Sequence, residues 1–323
     1  MAQPDWKIPR TVQPRPDDYA FDLDRALNSV MALSAAIPSD AFTADTLGTE
    51  RAGNAVLIGK DGLVLTIGYL ITEASAVWLT LNDGRVVRGD VVGFDGESGF
   101  GLVQALGGID LPPLPLGSSS DATVGDRALI AGAGGRSRSI AARIVSKQEF
   151  AGYWEYLLDE AIFASPAHPH WGGTALIGVK GELLGIGSLQ LQQERGGVQE
   201  NLNMIVPIDL LKPILSDLQA IGRPNRPPRP WLGIYATEID GQVVVAGLAD
   251  RAPADQAGLQ VGDVVLGVAG EDVDDLAGLF RRMWSIGTAG VNVPLKLMRG
   301  GRVLDVAVTS TDRAKLLKRG VLH

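Results

Sequence analysis

The sequence predicts a mainly β protein: two successive antiparallel barrels and, past a proline-rich connection, a small α+β module. Three observations carry that prediction. Forty-one glycines and eighteen prolines beside an aromatic share of 6% supply many tight turns and little helical bulk. From Ala55 onward, short apolar or alternating runs are separated by Asp-Gly, Asn-Asp-Gly and Gly-Gly turns, the period-2 signature of strands with a buried face. Finally, Gly222-Arg-Pro-Asn-Arg-Pro-Pro-Arg-Pro230 favours an extended, semi-rigid connection and marks a domain boundary.

Taken in order, residues 1–20 read as an extended, proline-rich arm, in which Pro4, Trp6 and Tyr19 are candidates for packing between neighbouring subunits. The span Phe21–Ala36 sets Leu23, Ala26, Leu27, Val30, Leu33 and Ala36 at helical spacing, and Pro38 ends that predicted helix. Strands follow at Ala55–Ile58, Leu63–Thr66, Val77–Leu81, Arg85–Val92 and Leu102–Leu106. A second series runs through Ala128–Ala131, Ile140–Val145, Tyr156–Phe163, Thr174–Val179, Leu183–Leu189 and Leu202–Val206, and closes in a predicted helix at Ile208–Ile221. Past the linker at 222–230, five further strands and helical stretches at Ala254–Ala257 and Asp275–Ile286 complete the α+β module, with Gly258 and Gly287 placed to terminate the helices. The boundaries are thus an arm at 1–20, a double barrel at 21–221, a linker at 222–230, a module at 231–312 and a tail at 313–323.

Composition narrows the chemistry. The chain of 323 residues is 46% hydrophobic and 20% charged, with a formal charge of -8. That balance gives no electrostatic reason to expect nucleic acid or an anionic membrane as partner. The absence of cysteine excludes disulfides, thiolate nucleophiles and cysteine-held metals. No apolar run reaches the roughly 18 to 20 residues that span a bilayer as a helix. The polar start lacks the pattern of a secretory signal, so the cytoplasm is the default expectation, and the periplasm if a leader has been removed.

Several segments resemble the HtrA family of trypsin-like serine proteases. They are Lys60-Asp-Gly-Leu-Val-Leu-Thr66, Gly93-Phe-Asp-Gly-Glu-Ser-Gly99, Leu116-Gly-Ser-Ser-Ser-Asp121, Val124-Gly-Asp126, Gly181-Glu-Leu-Leu-Gly185 and Val206-Pro-Ile208, and they keep the family's order. The resemblance implies a chymotrypsin-like double barrel, a histidine–aspartate–serine triad and assembly as a homo-oligomer, commonly a trimer. This sequence departs at the triad. Unchanged spacing from Lys60 puts Tyr69 at the histidine position, and tyrosine, with a reference pKa of about 10, is no general base at neutral pH. Gly99 stands at the aspartate position. In the third motif, Pro169-His-Trp-Gly-Gly173, Trp171 falls on the nucleophile in the favoured register and Gly172 in the alternative; neither carries a hydroxyl. The favoured register also draws an oxyanion donor from Pro169, which has no N–H. Independently of alignment, the three histidines are His168, His170 and His323, whereas the chymotrypsin order places the base first.

Other readings remain open from sequence alone. His168 and His170 lie near the hydroxyls of Ser165 and Thr174, so a rebuilt Ser–His pair, or a metal site with Asp159 or Glu160, stands beside the plainer reading of hydrogen-bonded loop residues. Trp171 is expected to plug the former substrate pocket. Lys60, Lys147 and Lys180 read as solvated charges rather than activators of a serine. No cofactor and no metal are expected.

The carboxy-terminal module resembles the family's PDZ domains, through Trp231-Leu-Gly-Ile234 and through Ala252-Pro-Ala-Asp-Gln-Ala-Gly-Leu259 followed by Val261-Gly-Asp263. The glycine lets loop N–H groups turn toward a peptide carboxylate, and the next strand offers an edge for an extended peptide. Trp231, Leu232, Gly233, Ile234, Leu279 and Met283 are the expected peptide-binding residues, while Leu276 and Phe280 share the same helical face and read as core. The expected protein is a pseudoprotease that binds protein carboxy-termini or extended apolar peptides; the alternative is a serine endopeptidase with a relocated catalytic group.

Overall fold

The computed structural model describes residues 6–195 and 197–318; Pro4 and His323 lie outside the described residues. The first unit comprises residues 1–148, 160–225 and 318–323, and the second residues 149–159 and 226–317.

Asp22 caps a short helix, α1 (Leu23–Asn28), by accepting from the Arg25 N–H at 3.0 Å. The predicted helix to Ala36 stops there. Val30–Ala36 is instead β1, paired with β2 (Glu50–Leu57) on one side and, after β3 (Leu63–Ile67), with β4 (Ala76–Thr80) on the other. Alanine and leucine favour helix, but two flanking ladders outweigh that local preference. With β5 (Val86–Phe94) and β6 (Phe100–Ala105), these strands close a barrel in the order β1-β2-β3-β6-β5-β4. All five residues of β3 are buried, which is why it reads as an unbroken apolar run. A one-turn helix, α2 (Ala44–Leu47), lies between β1 and β2.

The second barrel uses β7 (Arg127–Ala131), β8 (Ser139–Gly152), β9 (Tyr156–Ser165), β10 (Ala175–Ile177), β11 (Leu183–Arg195) and β12 (Val198–Pro207), closed in the order β10-β11-β12-β9-β8-β7. Ile130, Ile144, Ile162, Leu176 and Ile205 meet in its core. The arm is not a free extension. Its Ile8 joins that core, the Ile8 N–H donates to the Ser137 carbonyl at 2.9 Å, and Val12 accepts from the Ala141 N–H at 2.8 Å. The helix expected at 208–221 is divided into a single 3-10 turn at Ile208–Leu210 and α3 (Leu215–Ile221). Pro213 lies between them, and it removes a donor and disfavours the helical state of the residue before it.

In the second unit, β13 (Ile234–Ile239), β14 (Gln242–Leu248), β15 (Val264–Val268), β17 (Asn292–Arg299) and β18 (Arg302–Thr309) form one sheet in that order, with β16 (Glu271–Asp272) paired to β15. Pro253 opens α4 (Pro253–Gln256), and Asp275 caps α5 (Leu276–Ser285) by accepting from the Gly278 N–H at 2.6 Å. The same unit takes in residues 149–159, the tip of the β8–β9 hairpin, a grouping that the sequence reading did not foresee.

Candidate functional site

The crevice of the double barrel gathers Tyr69, Gly99 and the loop 168–174. Tyr69 closes a one-turn 3-10 helix, Gly68–Leu70, that directly follows β3. Its hydroxyl donates to the Ser188 carbonyl at 2.9 Å. Burial pushes the phenol well above its ordinary value, although a hydrogen bond from the Trp171 side chain pulls the other way. This group holds its proton and has already spent it on a carbonyl. Gly99, with φ +85°, offers its carbonyl to the Gly68 N–H at 2.7 Å, so backbone alone occupies that position.

Trp171 and Gly172 both stand against Tyr69: the Trp171 side chain hydrogen-bonds its hydroxyl, and a Cβ built on Gly172 would lie 2.6 Å from the same oxygen. Trp171 is partly buried, and its carbonyl accepts from the Thr174 hydroxyl at 2.9 Å. The His170 N–H donates to Nδ1 of His168 at 3.1 Å. That amide is committed inside the loop instead of facing the crevice.

His168 is fully buried. Its Nδ1 accepts from His170, its Nε2 lies 2.9 Å from the Arg138 carbonyl, and Asn203 brackets its backbone at 2.6 and 3.2 Å. An Nδ1 acceptor beside an Nε2 donor fixes the neutral tautomer, and burial lowers the pKa to about 4. Both ring nitrogens are engaged by backbone, which leaves the ring no role as base toward Ser165 or Thr174. His170 packs on Trp6, ring centroids 4.3 Å apart, and the Arg138 guanidinium lies 5.1 Å from the same indole. Trp6 is thus held within its own chain. Glu160 pairs with Lys147 at 2.9 Å and Asp159 with Arg281 at 2.6 Å, and among the described residues no group of three or more metal-ligating side chains assembles.

The second unit presents a different chemistry. The N–H groups of Leu232, Gly233 and Ile234 converge on one carboxylate, that of Glu155, at 3.2, 2.7 and 2.9 Å. Gly233 makes this turn at φ +79°, and a Cβ there would come within 2.3 Å of the Ala252 Cβ, so only glycine fits. Desolvation pushes the Glu155 carboxyl up to about 7 against the pull of the three amides and Arg313. Leu279 and Met283 are buried in one cluster with Leu232, Ile234 and Leu157.

A trypsin-like peptidase domain model matches residues 53–186 and a PDZ domain model residues 230–309. The probable periplasmic serine endoprotease DegP-like of Halomonas elongata is 28% identical over 273 residues, covering 80% of this chain and 56% of that protein. The putative serine protease HhoA of Synechocystis is 29% identical over 289 residues, covering 80% and 70%. A solved variant of the HtrA-type protease AlgW with tripeptide superposes with a TM-score of 0.56 at 21% identity, over 90% of this chain and 96% of that one. The chain joins a trypsin-like peptidase domain to a PDZ domain.

The chain spans a little over half the length of the first curated relatives it matches. In the crevice, sequence reasoning singled out Tyr69 and Gly99 but missed Asn54, whose backbone N–H and Nδ2 both donate to the Gly172 carbonyl, at 2.8 and 3.0 Å. It also missed Glu155. No local signal joins Glu155 to a loop 77 residues further along the chain.

Proposed function

We propose that this chain binds peptides through its PDZ loop and does not cleave them. The observation that carries the reading is the buried Tyr69 hydroxyl, which donates to the Ser188 carbonyl at 2.9 Å with the glycine Gly172 beside it. An acyl-transfer site needs a proton acceptor beside a nucleophile. Here a buried phenol that donates to Ser188 stands against a residue with no side chain. Peptide binding is supported by the three convergent amides of the Trp231–Ile234 loop, which already hold a carboxylate, and by the AlgW structure with its tripeptide. The barrels then serve as a scaffold for assembly, a homo-oligomer being the family's habit.

A second reading is a serine endopeptidase with a relocated catalytic group, and the names of the curated relatives, serine endoproteases, favour it. Hydrolysis of fluorogenic casein separates the two. Our reading predicts turnover at the buffer background, unaltered by Ser165→Ala, Thr174→Ala or His168→Ala. Turnover that one of these substitutions abolishes establishes the endopeptidase instead. Adding bulk at Gly233 is a poor probe of peptide binding, because the Ala252 clash disturbs the fold first.

A further inference from the structure

The Tyr153–Glu155 turn at the tip of the β8–β9 hairpin lies against β13 and the Trp231–Ile234 loop. The Ala236 N–H donates to the Tyr153 carbonyl at 2.9 Å. Two residues further on, the Glu155 carboxylate takes the three loop amides. Leu157 supplies an apolar side chain to the cluster of Leu279 and Met283. A free carboxy-terminus presents a carboxylate and an apolar last side chain from one residue; the hairpin presents the same two groups from two.

Two further observations indicate that the tip is built for this place. Glu155 has φ +60°, a left-handed conformation that a non-glycine residue keeps only where its surroundings over-determine it. Arg281, on α5, pairs with both Glu149 and Asp159, one on each arm of the hairpin.

Resting on the peptide-binding reading above, we infer that the hairpin is an internal ligand: it closes the PDZ groove, and an outside peptide binds only by displacing Glu155 and Leu157. The outside ligand it mimics is a carboxy-terminus with an apolar last residue, the carboxylate standing for Glu155 and the side chain for Leu157. Competition of this kind lowers apparent affinity by the fraction of molecules whose groove is open.

The test uses the full chain, wild type against Glu155→Ala, with Glu155→Gln as a conservative second variant. Hydrogen exchange at Leu232, Gly233 and Ile234 reads the latch directly. Anisotropy reads the groove, with a fluorescein-labelled decapeptide ending in Tyr-Trp-Leu, as the free acid and as the amide. The latch predicts amide exchange at least about tenfold faster in Glu155→Ala, and free-acid peptide binding tighter by about the same factor, as for a groove closed in roughly nine molecules of ten. Glu155→Gln falls between, and the amidated peptide gains nothing. Unchanged exchange together with unchanged affinity overturns the latch. Faster exchange with no binding of the free acid by either protein supports the latch and sinks the peptide-binding reading.

Discussion

At the scale of single residues, the crevice is governed by where protons are already committed. Tyr69 spends its hydroxyl on Ser188, and His168 spends both ring nitrogens on backbone. The buried imidazole also carries a pH signature. Its folded pKa, about 4, lies below the ordinary 6.5, so the unfolded chain takes up the proton first, and the stability His168 contributes is lost as pH falls from about 6.5 toward 4. The difference corresponds to about 3 kcal/mol. His170, lowered by burial and by Arg138, works in the same direction. Urea midpoints at pH 7.5, 5.5 and 4.5 are expected to fall more steeply for the wild type than for His168→Gln. Parallel profiles would remove His168 from the explanation. The Tyr69 and Gly99 positions were legible because turn motifs count residues rigidly from Lys60 and Gly93. The loop register was not, since Gly172 and Gly173 accept either alignment and both Trp171 and Gly172 lie against the Tyr69 hydroxyl.

At the scale of elements, Arg51 fastens the surroundings of Tyr69. From β2, its buried guanidinium donates to the carbonyls of Tyr69 at 2.7 Å and Thr72 at 3.0 Å, and to the Thr43 hydroxyl at 2.7 Å. Removing it strands buried acceptors on two neighbouring segments. Arg51→Met is expected to cost about 3 kcal/mol by urea unfolding; a loss under about 0.5 kcal/mol would mean those acceptors find other donors. The elements most open to sequence reading were those with a single strong signal, such as β3 with its buried run. β1 failed because Val30, Leu33 and Ala36 satisfy a helical period, whereas the strand buries the alternating set Met31, Leu33 and Ala35, and only pairing to β2 and β4 decides. The helix near 208–221 failed for a cause that was visible, Pro213, which the reading carried through.

At the scale of the whole chain, the two barrels and the PDZ module follow from period-2 patterning, glycine punctuation and the motif order. What sequence cannot supply is a contact such as that of Glu155 with Gly233, made by chain segments far apart and set by tertiary folding alone. The same holds for chemistry. Three histidines and no early base suggested a silent site, and what the crevice holds is consistent with the proposal: a phenol, a glycine and backbone carbonyls. The most direct measurement is the intact mass of the folded protein after incubation with a fluorophosphonate, which labels an activated serine or threonine wherever it lies. The account predicts the unmodified mass alone. A single stoichiometric adduct, lost on denaturing the protein before labelling, would contradict it.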